Sequence, residues 1–160
     1  MMGHHILGFI ARWEDLRRAA SNLREAHVVP LALGFGFLPV TQQLAGDDEP
    51  APFEHLDRLT ARLGQWAAEQ SRLFPLAYVE TDYFGGVGLQ AAIAWKNGRP
   101  AFGPVRTTDL WERGRSIPTP LLDGAINQAV RHIGVARGEA QDEFDALGLG
   151  QHRSNESWLS

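Results

Sequence analysis

Glu80 and Asp82 stand two residues apart at the head of ETDYFGGVGLQAAIAWKNGRPAFG, the stretch from Glu80 to Gly103. On a strand, residues i and i+2 project from the same face, so these carboxylates form a pair. Such a pair can divide acid and base roles if its surroundings push the two pKa values apart. It can also hold a divalent ion, or present an acidic patch to a basic partner. A purely structural role is open as well, with Lys96, Arg99 or a helix arginine neutralising the pair at the sheet surface. Tyr78 shares the face of the carboxylates, and Gln90 on the following strand could orient a ligand beside them.

Other chemistry finds less support. The run GGVG, Gly85 to Gly88, could aim backbone N–H groups at an anion, but a phosphate loop leads into a helix and this one leads into a strand, so it reads as a turn. His4, His5, His27, His55, His132 and His152 lack HExxH and helical i, i+4 spacing. A site built from His4, His5 and Glu80 would require the first strand to lie beside them, and neither a metal nor another cofactor is expected. Ser21, Ser71, Ser116 and Ser154 have no nucleophile elbow around them, so no catalytic residue is assigned. Trp111, flanked by Asp109, Glu112, Arg113 and Arg115, either pins its segment to the body or anchors a partner. Asp47, Asp48 and Glu49 read as a solvated loop.

Composition narrows the classes. The 160 residues suit one domain with a sizeable core, and 44% hydrophobic with 21% charged residues is ordinary globular usage. No apolar run approaches the roughly 20 residues that span a bilayer, and MMGHHILGFIA reads as a strand rather than a secretory leader. With no cysteine, disulfides, thiol nucleophiles and thiolate metal sites are excluded, and a cytoplasmic location is the simplest expectation. The net charge of −4 argues against nucleic acid as a partner and favours a protein partner with a basic surface.

The elements that must position these residues follow from periodicity. His5 to Ala11 reads as a buried strand. Leu16, Ala19, Ala20 and Leu23 at helical spacing give an amphipathic helix. Residues 28 to 40 form one bent strand or two short ones, broken by Pro30, Gly34, Gly36 and Pro39. Phe53, Leu56, Leu59, Leu63, Trp66, Ala67 and Phe74 make the stripe of a long helix that Pro75 terminates. Residues 105 to 118 read as irregular. Thr119, Pro120 and Gly134 bound a further helix, followed by one short helix and a tail that frays from about residue 150.

Asn97-Gly98 is a strong hairpin signal, because both central positions of a type I′ turn need φ > 0. It pairs Lys96 with Arg99, Trp95 with Pro100, Ala94 with Ala101 and Ile93 with Phe102. For the preceding hairpin, pairing Phe84 with Leu89 mixes Glu80 and Asp82 into the apolar layer of Ile93 and Trp95. Pairing Tyr83 with Leu89 across a five-residue loop separates the faces and is the register expected. Ala92, Ala94, Ala101 and Gly103 then floor the face edged by Glu80, Asp82 and Gln90, either as a seat for a closely packed helix or as a groove. The predicted architecture is a single α+β domain: a mixed, mostly antiparallel sheet with the long helix on one face, in which the strand-helix-strand start allows a parallel pair.

The segment ETDYFGGVGLQAA, with HHILGFIA, VPLALGFGFLPV and the late INQAVRHIGV, DEFDALGLGQHRS and Trp158, resembles a family of small bacterial proteins sharing an ETxYFGGxGxQ segment. The likeness spans nearly the whole chain and brings no activity, cofactor or catalytic residue with it. It implies only that Glu80, Tyr83, Gly85, Gly86, Gly88 and Gln90 form a recurrent structural unit. Short, acidic, cysteine-free α/β chains also look like immunity proteins of bacterial toxin systems, an analogy of type. The expectation is a non-enzymatic protein-interaction module, such as an immunity-type inhibitor, presenting Glu80, Asp82, Gln90, Tyr78 and Trp111. The alternative is a small-molecule binder or hydrolase-like enzyme working from Glu80 and Asp82 on the small-residue face.

Overall fold

The structure, a computed structural model, describes residues 3–51, 53–84, 87–112, 115–119 and 124–160, with the backbone alone for 84, 87, 109–112 and 115–119. A seven-stranded sheet of order β2-β3-β1-β4-β5-β6-β7 carries the domain. Its strands are β1 Leu7–Arg12, β2 Val29–Pro30, β3 Phe35–Pro39, β4 Leu76–Phe84, β5 Val87–Lys96, β6 Arg99–Glu112 and β7 Arg115–Thr119. The helices are α1 Trp13–Ala20, α2 Gln42–Ala45, α3 Ala61–Gln70, α4 Ala125–Arg131, α5 Glu143–Leu147 and α6 Asn155–Leu159. The α+β class and the helix against one sheet face are as the periodicity dictates. Every pairing between these strands is antiparallel, β1 with β3 included, so the parallel pair allowed by the strand-helix-strand start does not form.

Helices cover the sheet on both sides. On the first face Phe9, Leu76, Tyr78, Ala91, Ile93 and Trp95 lie beneath Leu16 and Ala19 of α1, Leu44 of α2 and Leu63, Trp66 and Ala67 of α3. Phe9 is the hub, its ring centroid 5.2 Å from Trp66 and 5.1 Å from Tyr78. On the second face Ile6, Ile10, Ala77, Val79, Ala92 and Ala94 lie beneath Ala125, Ile126, Ala129 and Val130 of α4, with Leu147, Leu149 and Trp158. The alanines are small because α4 sits on them, which is the close-packing role rather than a groove.

Several expectations change. The long helix begins at Ala61, capped by the Thr60 hydroxyl that accepts from Leu63 N. Residues ahead of it form a loop, because the N–H groups of Asp57 and Arg58 donate to the Glu80 carboxylate and not to helical carbonyls. Phe53 keeps its apolar contact from that loop: a Cβ on Gly64 would lie 2.7 Å from its ring, so the helix needs glycine there. The irregular stretch is instead the second half of β6 and β7, with Leu110 facing Ile117 in register; its β-branched and aromatic residues fit a pleat, and Pro118 sits on the edge strand where proline is tolerated.

Thr119 ends β7 rather than capping a helix; α4 starts at Ala125 after Gly124, and Pro120 lies outside the described residues. Gly134 does close α4: at φ +94° it sends Val135 N to Val130 O and its own N–H to Arg131 O, the paired bonds of a Schellman end. The tail does not fray. Asn155 accepts from Leu7 N and donates to Val40 O, fastening α6 across β1 and β3, and Trp158 is buried.

The hairpin registers decide the site. Lys96 pairs Arg99 and Trp95 pairs Pro100 about Asn97 and Gly98, both at positive φ. Beyond them two bulges intervene, so Ala94 faces Phe102 and Ala92 faces Val105. Gly103 takes φ +78° at one of them, where a Cβ would lie 2.6 Å from Ala92 O. Between β4 and β5, Phe84 pairs Val87 and Asp82 pairs Leu89, so the expected Tyr83–Leu89 register does not form. Gly85 and Gly86, the residues between, lie outside the described residues. Glu80 and Asp82 therefore share the face of Leu89, Ala91 and Ile93, the arrangement that pattern alone disfavours.

Candidate functional site

The register aligns Leu7, Glu80, Ala91 and Arg106 in one row across β1, β4, β5 and β6, with Asp82 and Leu89 in the next row. The loop before α3 lays Asp57 and Arg58 over these rows. Together they line a cleft of about 170 Å³ that His5 also borders. Its floor is apolar apart from Glu80, and its rim is charged.

Glu80 fixes the arrangement. It is 6% exposed, accepts from Asp57 N at 2.9 Å on one oxygen, and from Arg58 N at 2.9 Å and Tyr78 Oη at 2.7 Å on the other. All three donors are neutral. Burial, and then the adjacent Glu80 charge, push the Tyr78 hydroxyl well above its ordinary pKa, so it stays a donor. Arg106 reinforces the loop: Nη2 donates to His55 O at 3.1 Å and to Asp57 Oδ1 at 3.0 Å.

Two charges remain open. Asp82 has a side chain 51% exposed, and among the described residues its ion-pair partner is His5 Nδ1 at 4.0 Å. Arg58 is exposed and, among the described residues, its guanidinium has no ion pair or hydrogen bond. Arg58 and Leu7 also border a second hollow of about 330 Å³, lined further by Thr41, Asp48, Pro50 and Thr60. Arg58 thus divides two adjoining concavities.

The five residues singled out in the sequence separate. Glu80 and Asp82 meet at the cleft. Tyr78 is fully buried beneath it, its hydroxyl engaged by Glu80. Gln90 projects to the opposite face of the sheet, where its Oε1 accepts from Ile126 N and its Nε2 donates to Tyr83 Oη at 2.6 Å. With Thr107 Oγ1, which accepts from Ala125 N, Gln90 caps α4 from the sheet. Trp111 pairs with Ser116 on β6, and its side chain lies outside the described residues.

His4 and His5 also part company. His4 turns to Thr81 Oγ1 at 2.8 Å on the α4 side while His5 faces Asp82, so the His4, His5 and Glu80 site is not assembled. Among the described residues no group of three or more His, Asp or Glu could hold a metal ion, and no helix is long and apolar enough to cross a membrane. The residues the sequence did not flag are Asp57, Arg58 and Arg106. The first two fell within an expected helix, and the third in a stretch read as irregular; even a β6 extended through Thr107 and Thr108 would have set Arg106 opposite Leu89, and it is the two bulges that bring it beside Ala91.

The arrangement suits recognition better than proton transfer. Both Glu80 oxygens are already engaged, and the orienting group expected beside the carboxylates is on the far side of the sheet. What the cleft offers is a floor of Leu7, Leu89 and Ala91 around the buried Glu80, with one open acid and one open base at its rim. No protein-family model, no curated protein and no solved structure matches the chain significantly.

Proposed function

We propose that the chain is a non-enzymatic protein-interaction module and that the Glu80–Asp82 cleft is its docking element. The observation that carries this reading is the anatomy of the cleft: Leu7, Leu89 and Ala91 form a floor around the buried Glu80 carboxylate, and Arg58, Asp57, Arg106 and Asp82 ring it. Interfaces are built this way, with an apolar centre and a polar rim, and anchor side chains enter small preformed pockets. At about 170 Å³ the cleft is below the roughly 300–1,000 Å³ typical of metabolite sites, which favours a partner's side chain over a free small molecule. The acidic surface suits a basic partner, and an immunity-type inhibitor is one form such a module takes.

The test is affinity purification of the tagged protein from its native host, comparing wild type with Asp82→Arg. Asp82 is the better target than Glu80, whose removal would unfix the loop. A stoichiometric protein held by wild type and lost by Asp82→Arg supports docking through the cleft. A protein retained equally by both baits would place docking elsewhere.

A further inference from the structure

Resting on that docking reading, we infer that the cleft takes the side chain of an arginine from the partner protein. The first ground is charge. Glu80 is buried at the cleft, and among the described residues no arginine, lysine or histidine stands within 4.0 Å of it. Its hydrogen bonds all come from neutral groups. Asp57 is paired to Arg106, and Asp82 is open to solvent. Setting the Asp57–Arg106 pair aside leaves Glu80 and Asp82 against Arg58, so the cleft is net anionic. Arg58 lines the same cleft without an ion pair to Glu80, and a cationic group entering beside the two carboxylates adds opposite charge.

The second ground is shape. A cavity of about 150 Å³ holds a benzene-sized group, and the 170 Å³ here matches one long side chain. The aliphatic stem of an arginine would lie along Leu89 and Ala91 with its head at Asp82, the usual division of apolar stem and polar head. The guanidinium fork matches a carboxylate in two parallel hydrogen bonds, and Asp82 is the carboxylate with both oxygens free of hydrogen bonds among the described residues.

The probe is Nα-acetyl-arginine amide, followed by ¹H–¹⁵N correlation spectra of the full chain at low salt, with Nα-acetyl-citrulline amide as the neutral isostere. The expected result is saturable movement of the Asp82, Leu89 and Ala91 amides with the arginine compound and none with citrulline. Asp82→Asn, with an unchanged melting temperature, should weaken that binding by about tenfold or more, the loss of a charge-assisted pair. Equal shifts from citrulline, binding unaffected by Asp82→Asn, or tighter occupation of the same amides by acetate through Arg58 would each overturn the assignment. If the arginine compound moves nothing while Asp82→Arg still loses its partner in the capture experiment, docking stands and the arginine assignment falls. If both fail, both readings fall.

Discussion

Glu80→Gln is the substitution that most sharply tests how the cleft is built. The change keeps the size of the side chain and removes its charge and one acceptor. In the wild type one oxygen receives Arg58 N and Tyr78 Oη, and the other receives Asp57 N. A glutamine can place its oxygen for the first two donors, but its NH₂ then meets the Asp57 N–H, donor against donor. Leaving that N–H unsatisfied costs about 1–3 kcal/mol, and the two bonds that survive fall from the charged to the neutral range, about 1 kcal/mol each. Asp57 and Arg58 are exposed, so water recovers part of the loss. The expected destabilisation is about 2–4 kcal/mol for Glu80→Gln and about 3–5 kcal/mol for Glu80→Ala, a large fraction of the roughly 5–15 kcal/mol that holds a domain folded. Urea denaturation gives the total, and amide hydrogen exchange at Asp57 and Arg58 locates it. A Glu80→Gln protein within about 0.5 kcal/mol of wild type, or with those two amides still protected, would refute the argument that this carboxylate holds the loop.

Asp82→Asn and Arg58→Gln touch neither core nor network and should change stability by no more than about 0.5 kcal/mol in the same urea assay, separating binding defects from folding defects. Gln90→Ala removes a cap from Ile126 N and should cost about 1 kcal/mol. Gly124→Ala should cost a similar amount, about 1 kcal/mol, because the added Cβ would sit 2.4 Å from Gln90 Oε1 and displace the same cap. Tyr78 holds its proton more tightly folded than unfolded, so its contribution is complete below about pH 10 and is lost as pH rises toward the folded pKa; Tyr78→Phe should remove that part of the alkaline slope. His4 has the opposite sign for a base. Burial lowers its pKa, so stability falls as pH drops from about 6.5 toward the folded value and then levels, a slope that His4→Gln should flatten.

The α+β class, the Asn97-Gly98 turn, the Leu16, Ala19 and Ala20 stripe of α1 and the Gly134 helix end were all legible, because each is written in local chemistry or in periodicity. The register of β4 on β5 was not. Pattern arguments penalise a carboxylate in an apolar layer, and they would be right about an unbonded one. Glu80 is tolerated there because two backbone N–H groups from a loop more than twenty residues upstream reach it, and no periodicity encodes that. The same bonds explain why the helix expected from Phe53 starts only at Ala61: the i, i+3 apolar spacing is real, but a loop satisfies it. Gln90, expected to orient a ligand beside the carboxylates, lies instead on the face opposite Glu80, at the start of α4. The β6–β7 hairpin was missed because charged residues interrupt its alternation.

The measurement that bears most directly on the central claim is photo-crosslinking in the native host, with a benzoylphenylalanine placed at exposed His5, which borders the cleft, and, as a control, at exposed Glu139 beyond α4. Docking through the cleft predicts a single protein adduct from position 5 and none from 139. An adduct from 139 with none from 5 would contradict it.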